Sequence, residues 1–100
     1  MNINQMQKEE IEKLCKRNKV KFLFAFGSIV TDKFNENSDI DLVVDFVEKD
    51  PFKYTDLYFS LKNKLESLLK RKIDLIEERG IKNRFFRQQI EDTKVKLYGL

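Results

Sequence analysis

The stretch DIDLVVDF at residues 39–46 limits the architecture of this chain more than any other segment. Asp39 and Asp41 alternate with Ile40 and Leu42, and successive residues of an extended strand point to opposite sides. One face of such a strand enters an apolar core while the other carries two carboxylates, about 6.6–6.8 Å apart along the chain. Carboxylates at the mouth of an apolar strand are costly to keep ionised unless a cation comes to meet them. The segment therefore predicts both a strand with a buried face and a site on its opposite face.

The flanking sequence supplies the neighbours of that strand. Upstream, VKFLFAF at 20–26 is dense in aromatic and β-branched residues and reads as a buried strand stopped by Gly27, with Ser28 placed to open a short helix. NENS at 35–38 is turn-forming, so the chain re-enters the sheet after a short excursion and the two strands are expected to be antiparallel neighbours. Downstream, Asp50 before Pro51 is a helix start, and Tyr54, Leu57, Tyr58, Leu61, Leu65, Leu68 and Leu69 hold one face of a long helix. IDLIE at 73–77 follows as a short strand, and strand–helix–strand implies a parallel return that brings Asp74 near Asp39 and Asp41. Ile3, Met6, Ile11, Leu14 and Cys15 mark an amphipathic helix over 3–17, with Lys13, Lys16 and Arg17 toward its C-terminal end. After Gly80, Phe86, Ile90 and Leu97 fall on a helical stripe; KVKLY also fits an edge strand, and helix is the favoured reading. The expected fold is α/β, a small mixed β-sheet of three to four strands with helices mainly on one face and the acidic face open. With no repeat or linker in 100 residues, a single domain over 1–100 is expected.

Composition narrows the chemistry. Histidine is absent, which excludes zinc sites built on His and Cys, Ser-His-Asp triads and histidine general bases. Cys15 is the only cysteine, so no intramolecular disulfide forms; with a polar start and no run of eighteen apolar residues, a cytoplasmic location away from membranes is expected. The net charge of +3 is modest and the basic residues are scattered, so they read as solvated helix faces and nucleic acid is not the expected direct substrate. Lys62, Lys64, Lys70 and Arg71 fall in this class. Asp39, Asp41 and Asp74 without histidine ask for magnesium or manganese. Gly27 lets the backbone approach a phosphate, and Ser28 with amides at a helix start can hold its oxygens. Phosphate on one side and paired divalent ions on the other describe displacement at phosphorus, with Asp39 and Asp41 holding both ions and Asp74 completing one of them or taking the acceptor's proton. Asp45 shares the Asp41 face but reads as solvated; Asp32 and Glu36 read as loop surface, FLFAF and FF as core, and Tyr54, Tyr58 and Tyr98 as half-buried.

Gly27-Ser28, ten residues, then Asp39-Ile40-Asp41 resembles the signature of the nucleotidyltransferase superfamily that includes the polymerase-β-like palm. The frame from the strand before Gly27 to IDLIE resembles the minimal nucleotidyltransferases over nearly the whole chain. The resemblance implies transfer of a nucleoside monophosphate, AMP from ATP or another nucleoside triphosphate, to a hydroxyl, with Asp39, Asp41 and Asp74 as catalytic and metal-holding residues and Gly27 and Ser28 at the phosphates. It also implies an antitoxin working with a HEPN-type toxin, whose tyrosine is the acceptor; with no room for an acceptor domain, the second substrate is expected on another chain or a homodimer mate. A contact-only antitoxin module and a nucleotidyltransferase acting on a small molecule such as an antibiotic are the alternatives. Many relatives continue Gly-Ser-x-Ala-Arg-Gly, whereas Ile29, Val30, Thr31 and Asp32 stand here. The change weakens the expected grip on a triphosphate; Lys33 is the nearby cation and Asp32 opposes it.

Overall fold

The computed structural model describes residues 3–31, 35 and 37–99. Asp32, Lys33 and Glu36, discussed above for the loop, lie outside the described residues. Helix α1 (Gln5–Arg17) leads into β1 (Val20–Phe26), a 3-10 turn (Gly27–Val30) and β2 (Ile40–Phe46), and a second 3-10 turn (Glu78–Gly80) follows the third strand. Then come α2 (Pro51–Leu69), β3 (Ile73–Glu77), α3 (Arg84–Thr93) and β4 (Val95–Gly99). The four strands form one mixed sheet in the order β3-β2-β1-β4, with β1 antiparallel to β2 and β4 and β2 parallel to β3.

The sheet divides its residues as alternation requires. Ile40, Leu42, Val44 and Phe46 of β2 join Leu23 and Ala25 of β1 and Ile73 and Leu75 of β3 on one face, under Ile11 and Cys15 of α1 and Leu61, Leu65 and Leu69 of α2. Each fully buried leucine there contributes about 1.5–3 kcal/mol. On the opposite face Phe26 and Val43 meet Ile90 of α3, with Phe24, Ile76, Ile81 and Phe86 around them. Two helices thus cover one side and the third crosses the other, beside the acidic residues.

Helix starts follow local chemistry. Asp50 caps α2 by accepting from the Phe52 and Lys53 amides, with Pro51 in the first turn, and Asn83 caps α3 through the Phe85 and Phe86 amides. Two α2 side chains also reach the outer border of β3: Glu66 Oε2 accepts from the Ile73 N–H at 3.0 Å, and the Tyr58 hydroxyl donates to the Leu75 carbonyl at 2.7 Å. They satisfy main-chain groups that an edge strand would otherwise present to solvent.

Several expectations are corrected. KVKLY is the strand alternative, not helix: Val95–Gly99 forms β4 on β1, and Leu97 points into the α1–α2 core while Phe86 and Ile90 keep to α3. Met6 is 78% exposed and stands off the buried stripe of α1, and Phe85 is 74% exposed, because consecutive helical residues lie about 100° apart and Phe86 takes the inward position. Tyr54 is buried, not half-buried. Asp45 is not merely solvated: Arg79 Nη2 bonds its Oδ1 at 2.8 Å and the Phe46 carbonyl at 3.0 Å, with the guanidinium 4.1 Å above the centre of the Tyr54 ring. A planar donor fork tied to a carboxylate, a carbonyl and an aromatic face is not replaceable by a single charge. Arg79→Met is expected to cost about 1–2 kcal/mol, read by urea denaturation, with Arg79→Lys recovering only part of it.

Candidate active site

The site is assembled by the ends of three neighbouring strands. In the parallel ladder Asp41 of β2 lies directly opposite Asp74 of β3, as Ile40 lies opposite Ile73 and Leu42 opposite Leu75. Because register couples every pair, the apolar residues that bury one face place the two carboxylates side by side on the other. Asp39 immediately precedes β2, and its charge and that of Asp74 both reach Asp41. Across the antiparallel ladder Asp41 faces Phe26, so the Gly27 turn begins beside its side chain.

Gly27 has φ +74°, and a Cβ there would stand 2.7 Å from Asp41 Oδ2. The absence of a side chain is thus required twice, by the left-handed backbone and by the carboxylate occupying the space. Beyond it the turn is tied down: Ile29 is buried in the larger core, and both the amide and the hydroxyl of Thr31 donate to the Ser28 carbonyl at 3.0 Å. Ser28 itself is partly exposed at the head of the turn.

On the other flank, Arg71 holds the loop that leads into Asp39. Its Nη2 donates to the Ser38 carbonyl at 2.8 Å and to the Asn35 carbonyl, and the Ile40 amide donates to the Lys72 carbonyl at 3.1 Å. Arg71 was expected on a solvated face. Its partners lie 33 and 36 positions earlier, and no local pattern signals such a pairing.

Burial is the largest influence on Asp41 and raises its pKa; repulsion from Asp74 and then Asp39 acts in the same direction. A raised folded-state pKa means that the folded chain binds more protons than the unfolded one, so this group's contribution is favourable at low pH and is lost as pH rises through the folded pKa. The metal-free Asp41→Asn protein is therefore expected to melt at the same temperature as the wild type or higher at neutral pH, the gap closing on acidification. Scanning calorimetry in chelator checks this.

Among the described residues, no three carboxylate, histidine or cysteine groups converge closely enough, as their side chains stand, to ligate one ion. The donor chemistry nonetheless fits a hard cation: carboxylates alone, two of them in facing register, with the central one destabilised in its charged form by its companions. Cys15 takes no part, being fully buried with its thiol pKa pushed up to about 12 by burial.

Comparison with known proteins identifies the family. The family model described as polymerase beta, nucleotidyltransferase, matches residues 9–99. The chain belongs to this nucleotidyltransferase family. A Methanocaldococcus jannaschii protein named as a protein adenylyltransferase is 33% identical over 93 residues, covering 93% of this chain and 92% of the relative. A solved toxin–antitoxin structure with AMP-PNP superposes with a TM-score of 0.72 at 28% identity, covering 93% of this chain and 73% of the other. A tri-AMPylated Shewanella oneidensis HEPN toxin in complex with an MNT antitoxin is similar with a TM-score of 0.66 at 26% identity, over 96% of this chain and 72% of that one. The fold is that of the nucleotidyltransferases, and the chain is a nucleotidyltransferase by family. No described helix is long and apolar enough to cross a membrane.

Proposed function

We propose that this chain is a single-domain cytoplasmic antitoxin that transfers AMP from ATP to a tyrosine hydroxyl of a HEPN-type partner. The observation that carries the proposal is the facing register of Asp41 and Asp74, with Gly27 held open against the Asp41 carboxylate. The names of the adenylyltransferase relative and of the AMPylated toxin complex support AMP as the transferred group and a HEPN-type protein as the partner.

Asp39, Asp41 and Asp74 would hold magnesium or manganese, which when bound supplies charge neutralisation at the phosphates and activation of the acceptor hydroxyl. Gly27 and Ser28 place the triphosphate: the missing side chain lets the backbone approach, and the Ser28 hydroxyl donates to a phosphate oxygen. Asp74, exposed at the β3 end of the row, orients the acceptor and receives its proton. The acceptor oxygen forms its bond to the α-phosphorus as the bond to pyrophosphate breaks, and pyrophosphate leaves on the Gly27–Ser28 side. Incubation with ATP, magnesium and a HEPN-type partner, followed by intact mass measurement, should show a nucleotide-sized addition to the partner, lost in chelator.

A contact-only antitoxin is the second reading. It is favoured by Thr31, which stands where many relatives carry arginine and spends its hydroxyl on the Ser28 carbonyl. Neutralisation of the partner without any nucleotide addition would decide for it.

A further inference from the structure

The described residues hold a groove of about 710 Å³ that none of the proposed catalytic residues lines. It runs along the outer side of β3, between α2 and the start of α3, walled by Thr55, Phe59, Leu75, Ile76, Ile81 and Phe86. Ile76 is two residues beyond Asp74 on the same strand and face, about 6.6–6.8 Å along it, so the groove opens next to the Asp74 end of the acidic row.

The order across the sheet gives this position its meaning. Reading outward from β1, the phosphate-side turn at Gly27–Ser28 comes first, then Asp41 on β2, then Asp74 on β3, then the groove. Displacement at phosphorus runs in line, with the entering oxygen opposite the departing one. Pyrophosphate leaving toward Gly27–Ser28 requires the hydroxyl to arrive from the Asp74 side, over the groove. Resting on the function proposed above, we propose that this groove is the acceptor subsite and takes an apolar segment of a protein flanking the modified tyrosine.

A protein segment fits better than a small hydroxylated molecule because the apolar surface continues past the cavity. Phe59 is 54% exposed at its wall, Phe52 is 85% exposed two turns earlier on α2, and Phe85 is 74% exposed beside Phe86. Exposed aromatic side chains on both helices that wall the cavity are the kind of apolar surface that marks an interaction site. Lys82 and Glu77 on the lining add one charge of each sign, so the groove selects on apolar contact without favouring an acidic or a basic occupant. Occupation is by side chains, since Glu66 and Tyr58 already engage main-chain groups on the β3 border.

The test compares two tyrosine acceptors with ATP and magnesium: N-acetyltyrosinamide, and a soluble peptide with leucine and isoleucine on both sides of its tyrosine. The expected ratio of kcat/KM, peptide over amide, is about tenfold or more, following from one or two buried apolar side chains. It should fall toward unity in Phe59→Lys and in Thr55→Arg, both at exposed positions on α2, whose melting temperatures serve as the folding control. A ratio near unity in the wild type, or a tenfold ratio surviving both substitutions, overturns the groove while leaving the nucleotidyltransferase reading intact. Failure to modify either acceptor, or the HEPN-type partner, overturns both.

Discussion

On the proposed function, the Asp39→Asn, Asp41→Asn double variant is expected to lose AMP transfer by about a thousandfold or more while keeping its fold. The magnitude follows from the several kcal/mol that a divalent clamp on these carboxylates would supply to the developing charge, each 1.36 kcal/mol being a factor of about ten in rate. The fold survives because the asparagines keep the size of the aspartates, and Ile40, Leu42 and Val44, which carry the packing of β2, face the other way. Intact mass of the partner reads the first half of this expectation and thermal melting the second. Magnesium should raise the melting temperature of the wild type by mass action and leave that of the double variant where it was. A double variant that unfolds would instead make the aspartates structural.

Gly27→Ala is the second large effect, and it separates two costs. The left-handed backbone at φ +74° penalises any β-carbon by about 1–2 kcal/mol, a loss visible in denaturation. The contact at 2.7 Å is with the far end of a flexible side chain, so it is relieved by moving the Asp41 carboxylate, and the penalty then appears in the chemistry. If Asp41 acts as proposed, a displacement of about 1 Å is expected to cost on the order of a hundredfold in rate. Placing Gly27→Ala on an Asp41→Ala background resolves them: the stability cost remains, since the backbone angle is unchanged, while a carboxylate is no longer there to be displaced. If the stability cost vanishes on that background, the steric contact and not the backbone angle is its origin.

Much of this molecule is legible residue by residue. VKFLFAF and IDLIE coincide with β1 and β3 because composition, alternation and a stop signal agree at each, and Asp50-Pro51 marks the start of α2 because a cap and a first-turn proline are local devices. The parallel return of β3 brings Asp74 opposite Asp41, as strand alternation and a crossover helix imply, whereas Asp39 stands just before β2, where the alternation of the strand no longer fixes its side. β4 is harder to read: five residues with one buried leucine suit either periodicity, and what decides between them is pairing with β1, some seventy positions earlier, a contact that local pattern does not encode. The same limit hides Arg71 and Arg79, whose hydrogen-bonded carbonyls and carboxylate lie 31 to 36 positions away. An arginine at a helix end or in a tight turn reads as solvated until the fold brings a carbonyl to it. The stripe of α3 is plain in Phe86 and Ile90, but a stripe does not say which side of a sheet it will cover.

The two α2 side chains engaged with β3 also make the two edges of the sheet unlike each other. Glu66 and Tyr58 engage the Ile73 amide and the Leu75 carbonyl on one border, and β4 forms the opposite edge of the sheet, on the far side of β1. A strand added at β4 would be separated from Asp74 by three strands of the sheet.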